Sequence, residues 1–307
     1  MQTTSKDVSL RLQDLLESFL YAKLHSPETV KSYEQAVRIW VSDTDILNVE
    51  DITVDAVLKW RKNVVERSSA QTFNKYRRHL RAIFSWAIKQ GLVHKNPFSE
   101  VEAAPVLHRR KKSVATDLLK EALDYLESND CTLEPCWLWA TIIRTFFYTG
   151  MRRRQLVSLN WRDVDLKNST WTIRAEYSKT RRELVLPIAP ALKPHIFRLK
   201  DETERKIGGI PDRNMQVFCA PLFNPRLKQG RLTEEQISDF FRRISEKLSE
   251  PISAHKIRHT VATLLASSNN IRVVQDLLGH VSIHTTMQYI HPDISELRRL
   301  LTTLPTL

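Results

Sequence analysis

One tyrosine, two arginines, a lysine and several histidines are of the types that could carry out transfer at a phosphodiester. In chain order they are Arg152, Lys179, His255, Arg258, His259, His280 and Tyr289. An activated tyrosine hydroxyl is a nucleophile, and an arginine binds phosphate oxygens through two parallel hydrogen bonds. No carboxylate or metal-ligand cluster accompanies the set. The pattern therefore indicates nucleophilic attack on phosphorus, with the developing negative charge stabilised by cations.

The spacing of these residues predicts that short helices position them. His255 and Arg258 are three residues apart at the start of a predicted helix, so both side chains can face one site. His259 lies one position further round and can support them. A glycine turn precedes His280, and the next short helix places Tyr289 a little over two turns along.

A zinc site is the alternative reading of the histidines. His255 and His259 have the four-residue spacing of two helical ligands, and His280 would be a third. Lys256 stands where a metalloprotease carries glutamate, and Arg258 would place a cation beside a dication. The sequence therefore favours phosphate chemistry without a metal. No phosphate-binding glycine loop is present, so no nucleotide cofactor is expected either.

The composition indicates a polyanionic partner. The chain has 307 residues, with 47 Lys and Arg against 35 Asp and Glu, giving a formal net charge of +12. This length allows two domains, and the charge attracts the molecule to nucleic acid. The cations are concentrated in blocks at 75–78 and 108–112, which favours a phosphate backbone over a membrane surface.

The cysteines and apolar runs bear on the cellular compartment. Cys131, Cys136 and Cys219 form neither an even set nor a C-x-x-C pair, so we expect neither a disulfide framework nor a zinc ribbon. Residues 1–8 lack the apolar core of a signal peptide, and no run reaches the roughly 20 apolar residues of a membrane span. A cytoplasmic location without a membrane partner is expected.

Hydrophobic periodicity divides the chain into two domains. Three-and-four spacing predicts four helices in residues 1–104. Ser26 and Thr53 are predicted to cap the second and third helices, and Gly91 to end the fourth. A basic linker without helical period follows at 105–114.

The second domain, residues 115–307, is predicted to be mainly helical with a small β-sheet. Strand patterns at 170–174 and 183–187 flank a polar tip at 178–182, which predicts a hairpin or sheet edge. The apolar run at 136–148 predicts a buried helix. The fold class is therefore mainly α, with a four-helix N-terminal domain and a small sheet in the C-terminal domain.

The fourth helix is a candidate DNA-binding element. Lys75, Arg78 and Arg81 lie away from its apolar face and are predicted to contact phosphates, although a solvated basic face is the alternative. Leu58 on the third helix and Ile88 on the fourth are expected to point inward. The linker supplies a further predicted set of phosphate contacts: Arg109, Arg110, Lys111 and Lys112.

The order of the candidate residues resembles that of the tyrosine recombinases, also called the phage integrase family. The match covers about residues 115–292, and the helical domain before it is similar in architecture to their core-binding domain. The combination of the box at 255–263 and the Leu-Leu-Gly-His through tyrosine block is specific. The resemblance implies a site-specific DNA recombinase that needs neither metal nor ATP.

The resemblance also implies the principal catalytic roles. Arg152 and Arg258 would clamp the scissile phosphate. Tyr289 would form a covalent 3′-phosphotyrosine bond, which stores the phosphodiester energy. Lys179 would protonate the leaving 5′ oxygen.

The histidines would have auxiliary roles. His255 would assist proton transfer, His280 would hydrogen-bond a non-bridging oxygen, and His259 would occupy a supporting position. Gln155 departs from the family pattern, because an acidic residue is common three positions after the first arginine. An amide can still hydrogen-bond there, but it cannot pair ionically.

Two positions in the match leave alternatives open. Arg153 and Arg154 adjoin the first arginine, and only the Thr-Gly-x-Arg pattern selects between them. At the hairpin tip, Arg181 and Arg182 compete with Lys179, which could instead be a surface lysine that contacts DNA.

The expected assembly is a homotetramer on two duplexes that carry specific crossover sites. Leucines at helical spacing in the tail could dock into a neighbouring protomer, or pack on their own domain: Leu297, Leu300, Leu301 and Leu304. Accessory DNA-bending or directionality proteins are possible partners. Because the helical domain begins almost at once, we expect no additional arm-binding domain.

Several functions compete within this reading. Integration or excision of a mobile element is favoured, and chromosome or plasmid dimer resolution by the same chemistry is the alternative. A type IB topoisomerase would share the tyrosine, arginine and lysine chemistry but relax supercoils as a monomer; the histidine-arginine-histidine box and the two-domain length favour the recombinase. A DNA-binding regulator with a decayed site would lack the tyrosine or an arginine, and both are present.

Overall fold

The protein is represented by a computed structural model that describes residues 9–106, 114–178, 181–227, 230–266 and 274–275. The chain divides into two compact units, Met1–Arg110 and Lys111–Leu307. Both are mainly helical, and the three-stranded sheet lies in the second unit. The predicted fold class is confirmed. The finer division into domain, linker and domain stays a prediction.

The first unit consists of four long helices and one short helix. They are α1 (Leu12–Ala22), α2 (Pro27–Thr44), α3 (Val54–Arg67), α4 (Ala70–Lys89) and α5 (Pro97–Glu100). The helix α4 packs against each of the other four. It is therefore the central element of this unit.

The predicted helix ends are confirmed. The Ser26 side chain accepts a hydrogen bond from the Thr29 N–H at 3.3 Å, and Thr53 accepts one from the Ala56 N–H at 3.2 Å. These hydroxyls satisfy N–H groups that have no partner within the helix. Gly91 follows α4 with φ +71°, a left-handed conformation that favours glycine.

Aromatic rings fill the core of the first unit. The Trp40 ring centroid lies 5.1 Å from those of Trp60 and Phe98, in edge-to-face contacts. The prediction that Leu58 and Ile88 point inward is wrong, because each is 39% exposed. Leu58 directly follows Val57, which belongs to the buried face of α3, and lies outside that face. Ile88 lies in the last turn of α4, where the preceding alanine packs inward instead.

The second unit has seven helices and three strands among its described residues. They are α6 (Thr116–Glu127), α7 (Cys136–Thr149), α8 (Arg153–Ser158), β1 (Val164–Asp165), β2 (Thr170–Ile173), β3 (Leu184–Pro187), α9 (Lys193–Ile207), α10 (Ala220–Phe223), α11 (Glu234–Ser245) and α12 (Ala254–Ala266).

The predicted hairpin is confirmed as the antiparallel pair β2 and β3. Trp171 pairs with Leu186, and both side chains are buried. The two-residue strand β1 adds to the other edge of β2, giving the order β1-β2-β3. The sequence does not predict β1, because two residues cannot display a period-two pattern.

The helix α7 is the buried helix predicted from the apolar run. Phe146 is fully buried, and the Trp139 ring stacks on Phe240 of α11 with centroids 4.2 Å apart. This packing fixes α7, whose last residue is Thr149, immediately before the motif that contains the first candidate arginine.

A buried ion pair fixes the base of the hairpin. Asp163 accepts hydrogen bonds from Arg174 Nε and Nη2 at 2.8 to 2.9 Å, and its Oδ2 accepts one from the Asn160 N–H at 2.9 Å. The Asp163 side chain is 7% exposed. Since Arg174 directly follows β2, this pair holds the chain where it leaves the sheet towards the hairpin tip.

The side chain of Gln216 joins the last turn of α8 to the segment just before α11. Its Nε2 donates to Val157 O at 2.6 Å and to Leu232 O at 2.9 Å, and its Oε1 accepts from Leu232 N–H at 2.7 Å. Gln216 is buried. A single amide thus satisfies backbone groups of α8 and of the segment before α11.

The expectation of no disulfide is wrong. Cys131 and Cys136 form a disulfide, with Cα atoms 6.4 Å apart, while Cys219 is a buried free thiol. The two bonded cysteines flank the turn that enters α7. Counting cysteines along the chain does not reveal this proximity. As to membranes, every helix within the described ranges is too short or too polar to cross a bilayer.

Candidate active site

A hydrogen bond joins the two arginine-containing motifs. Gly150 ends α7 with φ +60°, and its N–H donates to Phe146 O at 2.9 Å. The Gly150 carbonyl in turn accepts a hydrogen bond from Arg258 Nη1 at 2.5 Å. The sequence indicated each motif, but not this contact between them. Gly150 lies two residues before Arg152. The hydrogen bond therefore joins the Arg258 guanidinium to the backbone of the motif that contains Arg152.

The helix α12 presents its candidate residues at different depths. Arg258 and His259 are buried, whereas His255 is exposed. The rings of His255 and His259 lie 6.1 Å apart, nearly perpendicular. His255 is therefore accessible from solvent, whereas the supporting role of the buried His259 stays a prediction.

The structure distinguishes the three consecutive arginines. Arg152 is half-buried at the N-cap of α8, whereas Arg153 and Arg154 are exposed. The Arg153 guanidinium donates to the Ser238 hydroxyl on α11. Arg153 therefore connects α8 to α11, whereas the half-buried Arg152 lies two residues after Gly150 along the chain.

Gln155 caps the helix that begins after Arg152. Its Oε1 accepts a hydrogen bond from the Arg152 N–H at 2.7 Å, and the side chain is buried. This contact needs an oxygen acceptor and not a negative charge, so an amide replaces the acidic residue common in the family without losing the cap.

Replacing Gln155 with leucine is expected to destabilise the protein by about 1–2 kcal/mol, because the Arg152 N–H loses its acceptor. The same change should slow the DNA strand cleavage that the sequence leads us to expect, since the backbone that carries Arg152 is no longer fixed. Gln155→Glu keeps the acceptor and should cleave nearly as fast as the parent. Urea denaturation and single-turnover cleavage measure the two effects.

Gln236 provides the matched control for this prediction. Its Oε1 accepts from the Thr233 N–H at 3.0 Å at the start of α11, the same capping role on another helix. Gln236→Leu should lose similar stability with little change in cleavage. Equal slowing of cleavage by both leucine variants would contradict a specific role for Gln155.

The hairpin tip is described only at its edges. Lys179 lies outside the described residues. Ser178 is buried, and its carbonyl accepts from the Arg181 N–H at 3.0 Å, with Arg181 at φ +52°. Both Arg181 and Arg182 are exposed. The choice among the three cations stays a prediction.

Two further candidates, His280 and Tyr289, also lie outside the described residues. The described part of the site consists of two segments, around Arg152 and around Arg258, joined through Gly150. Across the described ranges, no three His, Cys, Asp or Glu side chains are grouped so that they could hold a metal ion.

The helix α4 exposes the three cations predicted to contact DNA. Lys75, Arg78 and Arg81 are exposed, and Lys75 Nζ donates to Gln35 on α2 at 3.3 Å. Arg77 differs, because it is buried, and burial lowers the pKa of its guanidinium. The linker cations lie outside the described residues: Arg109, Arg110, Lys111 and Lys112.

Sequence analysis overlooked His79 on the same helix. Its ring centroid lies 4.7 Å from that of Tyr33 in an edge-to-face contact, and the His79 side chain is half-buried. Burial, and then the charges of Arg78 and Lys75, lower the pKa of His79. The neutral imidazole therefore adds no charge to the basic face near neutral pH. An exposed basic helix and two joined arginine segments are features of proteins that act on a nucleic-acid backbone.

Comparison with known families identifies the class. The phage integrase family matches residues 112–296, and the phage integrase central domain matches residues 17–104. The chain belongs to the phage integrase family, the tyrosine recombinases, which are site-specific DNA recombinases. The resemblance drawn from the sequence is confirmed.

Curated relatives agree with this assignment. A Pseudomonas aeruginosa protein named as a tyrosine recombinase of the XerC type is 33% identical over 94% of this chain and 70% of its own length. A similarly named Pseudomonas syringae protein is 29% identical over 95% of this chain and 64% of its own length. The chain thus spans about two thirds of these relatives.

Solved structures share the fold. The Tn1549 transposon integrase in complex with circular intermediate DNA has a TM-score of 0.73 at 18% identity, covering 96% of this chain and 100% of that one. A lambda integrase tetramer bound to a Holliday junction has a TM-score of 0.72 at 20% identity, covering 93% of this chain and 78% of that one. Both structural neighbours are integrases bound to DNA.

Proposed function

We propose that this recombinase cleaves and rejoins DNA at specific crossover sites through a 3′-phosphotyrosine, without metal or nucleotide cofactors. The observation that carries the proposal is the hydrogen bond from Arg258 to Gly150, which brings the two arginine motifs together. Planar cations beside one phosphate would stabilise the negative charge that develops on its non-bridging oxygens.

The chemical step exchanges one phosphoester for another. The Tyr289 oxygen attacks the scissile phosphorus, and its proton passes to His255. The bond from phosphorus to the 5′ oxygen breaks, and Lys179 protonates that oxygen. Arg152 and Arg258 bind the non-bridging oxygens throughout. Because one phosphoester replaces another, strand exchange is nearly isoenergetic and needs no ATP.

Two histidines complete the proposed site. His280 hydrogen-bonds a non-bridging oxygen of the scissile phosphate. His259, which is buried behind His255, supports the orientation of α12. Gln155 holds the backbone that carries Arg152, through the cap described at the start of α8.

The assembly and biological role extend this proposal. The active form is a homotetramer on paired double-stranded sites in the cytoplasm, with accessory DNA-bending or directionality proteins as further partners. Integration or excision of a mobile element is the proposed role. The resemblance of fold to a transposon integrase supports it. Dimer resolution is the second candidate, favoured by relatives named XerC.

The decisive experiment traps the covalent intermediate. Purified protein is incubated, without metal or ATP, with nicked suicide duplexes that carry the junction sequences of the encoding element. We expect an adduct that survives denaturation and is digested by protease. Tyr289→Phe should abolish it, because phenylalanine has no nucleophilic oxygen.

Tyr148 provides a matched control, because it is a partly exposed tyrosine of α7 to which the mechanism assigns no role. Tyr148→Phe should form the adduct normally. An adduct that persists in Tyr289→Phe would contradict the assigned nucleophile. DNA binding without any adduct would favour a regulator with a decayed site, and relaxation of plasmids that lack a site would favour a topoisomerase.

A further inference from the structure

A cleft of about 410 Å³ lies on the second unit, bounded by α6, α7 and α9. Its wall carries three side chains that can donate hydrogen bonds: Arg144, His195 and Arg198. The proposed mechanism gives none of them a role. A cleft of this size accommodates a small ligand or a few residues of a peptide. These side chains therefore mark a second candidate binding site, in addition to the candidate active site.

The hydrogen-bond donors of this cleft are largely without acceptors. Arg144 Nη2 donates to Glu127 Oε1 at 2.5 Å, which leaves the other N–H groups of that guanidinium to a ligand. The Arg198 guanidinium carbon lies 5.2 Å from the centroid of the Trp137 ring, a contact that uses no N–H group. Among the described residues, nothing accepts a hydrogen bond from Arg198 or from the His195 ring. The helices α7 and α9 thus direct unused donors into one space.

The electrostatics of the cleft favour a bound anion. Burial lowers the pKa of the His195 imidazole, and the charge of Arg144 lowers it further. The Glu127 carboxylate acts in the opposite direction, and Arg198 adds to the lowering. The Arg144 side chain is 16% exposed, so water screens its charge less than that of a surface arginine. Positive potential at the ring would stabilise a negative group placed beside it.

The remaining wall of the cleft selects the kind of anion. Exposed carboxylates of Glu127 and Glu134 also line it, and they would repel a duplex with a negative charge about every 1.7 Å of its axis. Leu126 and Ala140 are buried and supply an apolar surface, which the half-buried Trp137 ring extends. A single carboxylate beside an apolar side chain fits this wall, whereas a row of phosphates does not.

We propose that this cleft binds an acidic segment of a partner protein, with one carboxylate on Arg144, His195 and Arg198 and an adjacent apolar side chain against Trp137. Arginine binds carboxylates through charge-assisted hydrogen bonds, and Arg144 already does so with Glu127. The formal net charge of +12 attracts an acidic partner to this chain. This inference goes beyond the proposed function and does not depend on strand cleavage.

The first test titrates a short peptide into the full-length protein. The probe is a pentapeptide of glycine, leucine, aspartate, phenylalanine and glycine, blocked at both ends, and binding is followed by NMR of the histidine rings. The matched control peptide carries asparagine in place of aspartate. We expect the aspartate peptide to bind at least about tenfold more tightly, because an amide forms no charge-assisted hydrogen bond with arginine. Equal affinities would overturn the proposal.

Two arginine variants of α9 separate a specific site from general charge attraction. Arg198→Gln should weaken binding of the aspartate peptide by about tenfold, and the exposed position makes the change compatible with folding. Arg205 is the matched control, since it is exposed on the same helix, pairs with Glu202 at 2.6 Å and does not line the cleft. Arg205→Gln should leave binding unchanged. Equal losses in the two variants would contradict a site at Arg198.

The His195 ring reports where the carboxylate binds. The charged groups that face it are Glu127 of α6, Arg144 of α7 and Arg198 of α9. A carboxylate beside the ring stabilises its protonated form, so the aspartate peptide should raise the pKa of His195 and the asparagine peptide should not. Binding should accordingly strengthen as the pH falls. His195→Gln identifies the resonance, and an unchanged pKa at saturation would place the peptide elsewhere and overturn the proposal.

Competition distinguishes a partner protein from other anions. Saturation-transfer NMR of the aspartate peptide is repeated with equimolar inorganic phosphate and then with an equimolar DNA duplex, using Tyr289→Phe to prevent cleavage. We expect the peptide to remain bound in both cases. Displacement by phosphate would make the cleft a site for free anions, and displacement by the duplex would make it part of the DNA-binding surface. Either result would overturn the proposal without bearing on the covalent adduct.

Discussion

Replacing Arg258 with lysine is expected to lower the rate of covalent adduct formation by about 10²–10³-fold. Lysine keeps the positive charge, but its ammonium cannot donate to the Gly150 carbonyl and to two phosphate oxygens in the planar geometry of a guanidinium. Because Arg258 is buried, no water can readily replace the lost hydrogen bond to Gly150. Single-turnover adduct formation at saturating protein isolates this chemical step.

Arg153 is the matched control for this substitution. It is an exposed arginine beside the first motif, and its guanidinium donates to Ser238 rather than to Gly150. Arg153→Lys is expected to change the rate by less than about threefold. If Arg258→Lys reacted as fast as Arg153→Lys, Arg258 would not contact the phosphate in the transition state.

Removing the Asp163 carboxylate is expected to destabilise the second unit by about 3 kcal/mol. Asp163→Ala leaves Arg174 with a partly buried charge and removes the acceptor of the Asn160 N–H. The hairpin base is then no longer held, and adduct formation should also slow if the hairpin carries the proton donor proposed above. Urea denaturation and adduct formation measure these two consequences.

An exposed ion pair provides the comparison for Asp163. Asp239 pairs with Arg242 on α11, and the two side chains are 53% and 63% exposed. Solvent screens such pairs, so Asp239→Ala should change the free energy of unfolding by less than about 1 kcal/mol. Equal losses in the two alanine variants would show that the Asp163 pair contributes no more than a surface contact.

Local patterns made the helix ends predictable. Ser26 and Thr53 act on N–H groups three residues further along, so a short stretch of sequence contains both partners. The same locality explains the hairpin, in which buried residues alternate with more accessible ones along β2. The residues that face the core are harder to predict near the end of a helix. In the last turn of α4, Ala87 packs inward and Ile88 is exposed.

Contacts between distant residues left no signal in one sequence. Arg258 and the Gly150 carbonyl are separated by 108 residues, and Thr260 and Val114 by 146. A carbonyl acceptor has no residue-type preference, so composition cannot indicate it. The family resemblance gave the motif residues themselves, but not the hydrogen bonds that hold them in place.

The Gly150 carbonyl also constrains how this chain can diverge. A substitution at Gly150 that rotated its peptide would remove both the left-handed turn after α7 and the acceptor of Arg258. A drift in α12 would in turn leave that carbonyl unpaired. We therefore expect a substitution that moves one of the two motifs to disturb the other, although 108 residues separate Gly150 from Arg258 along the chain.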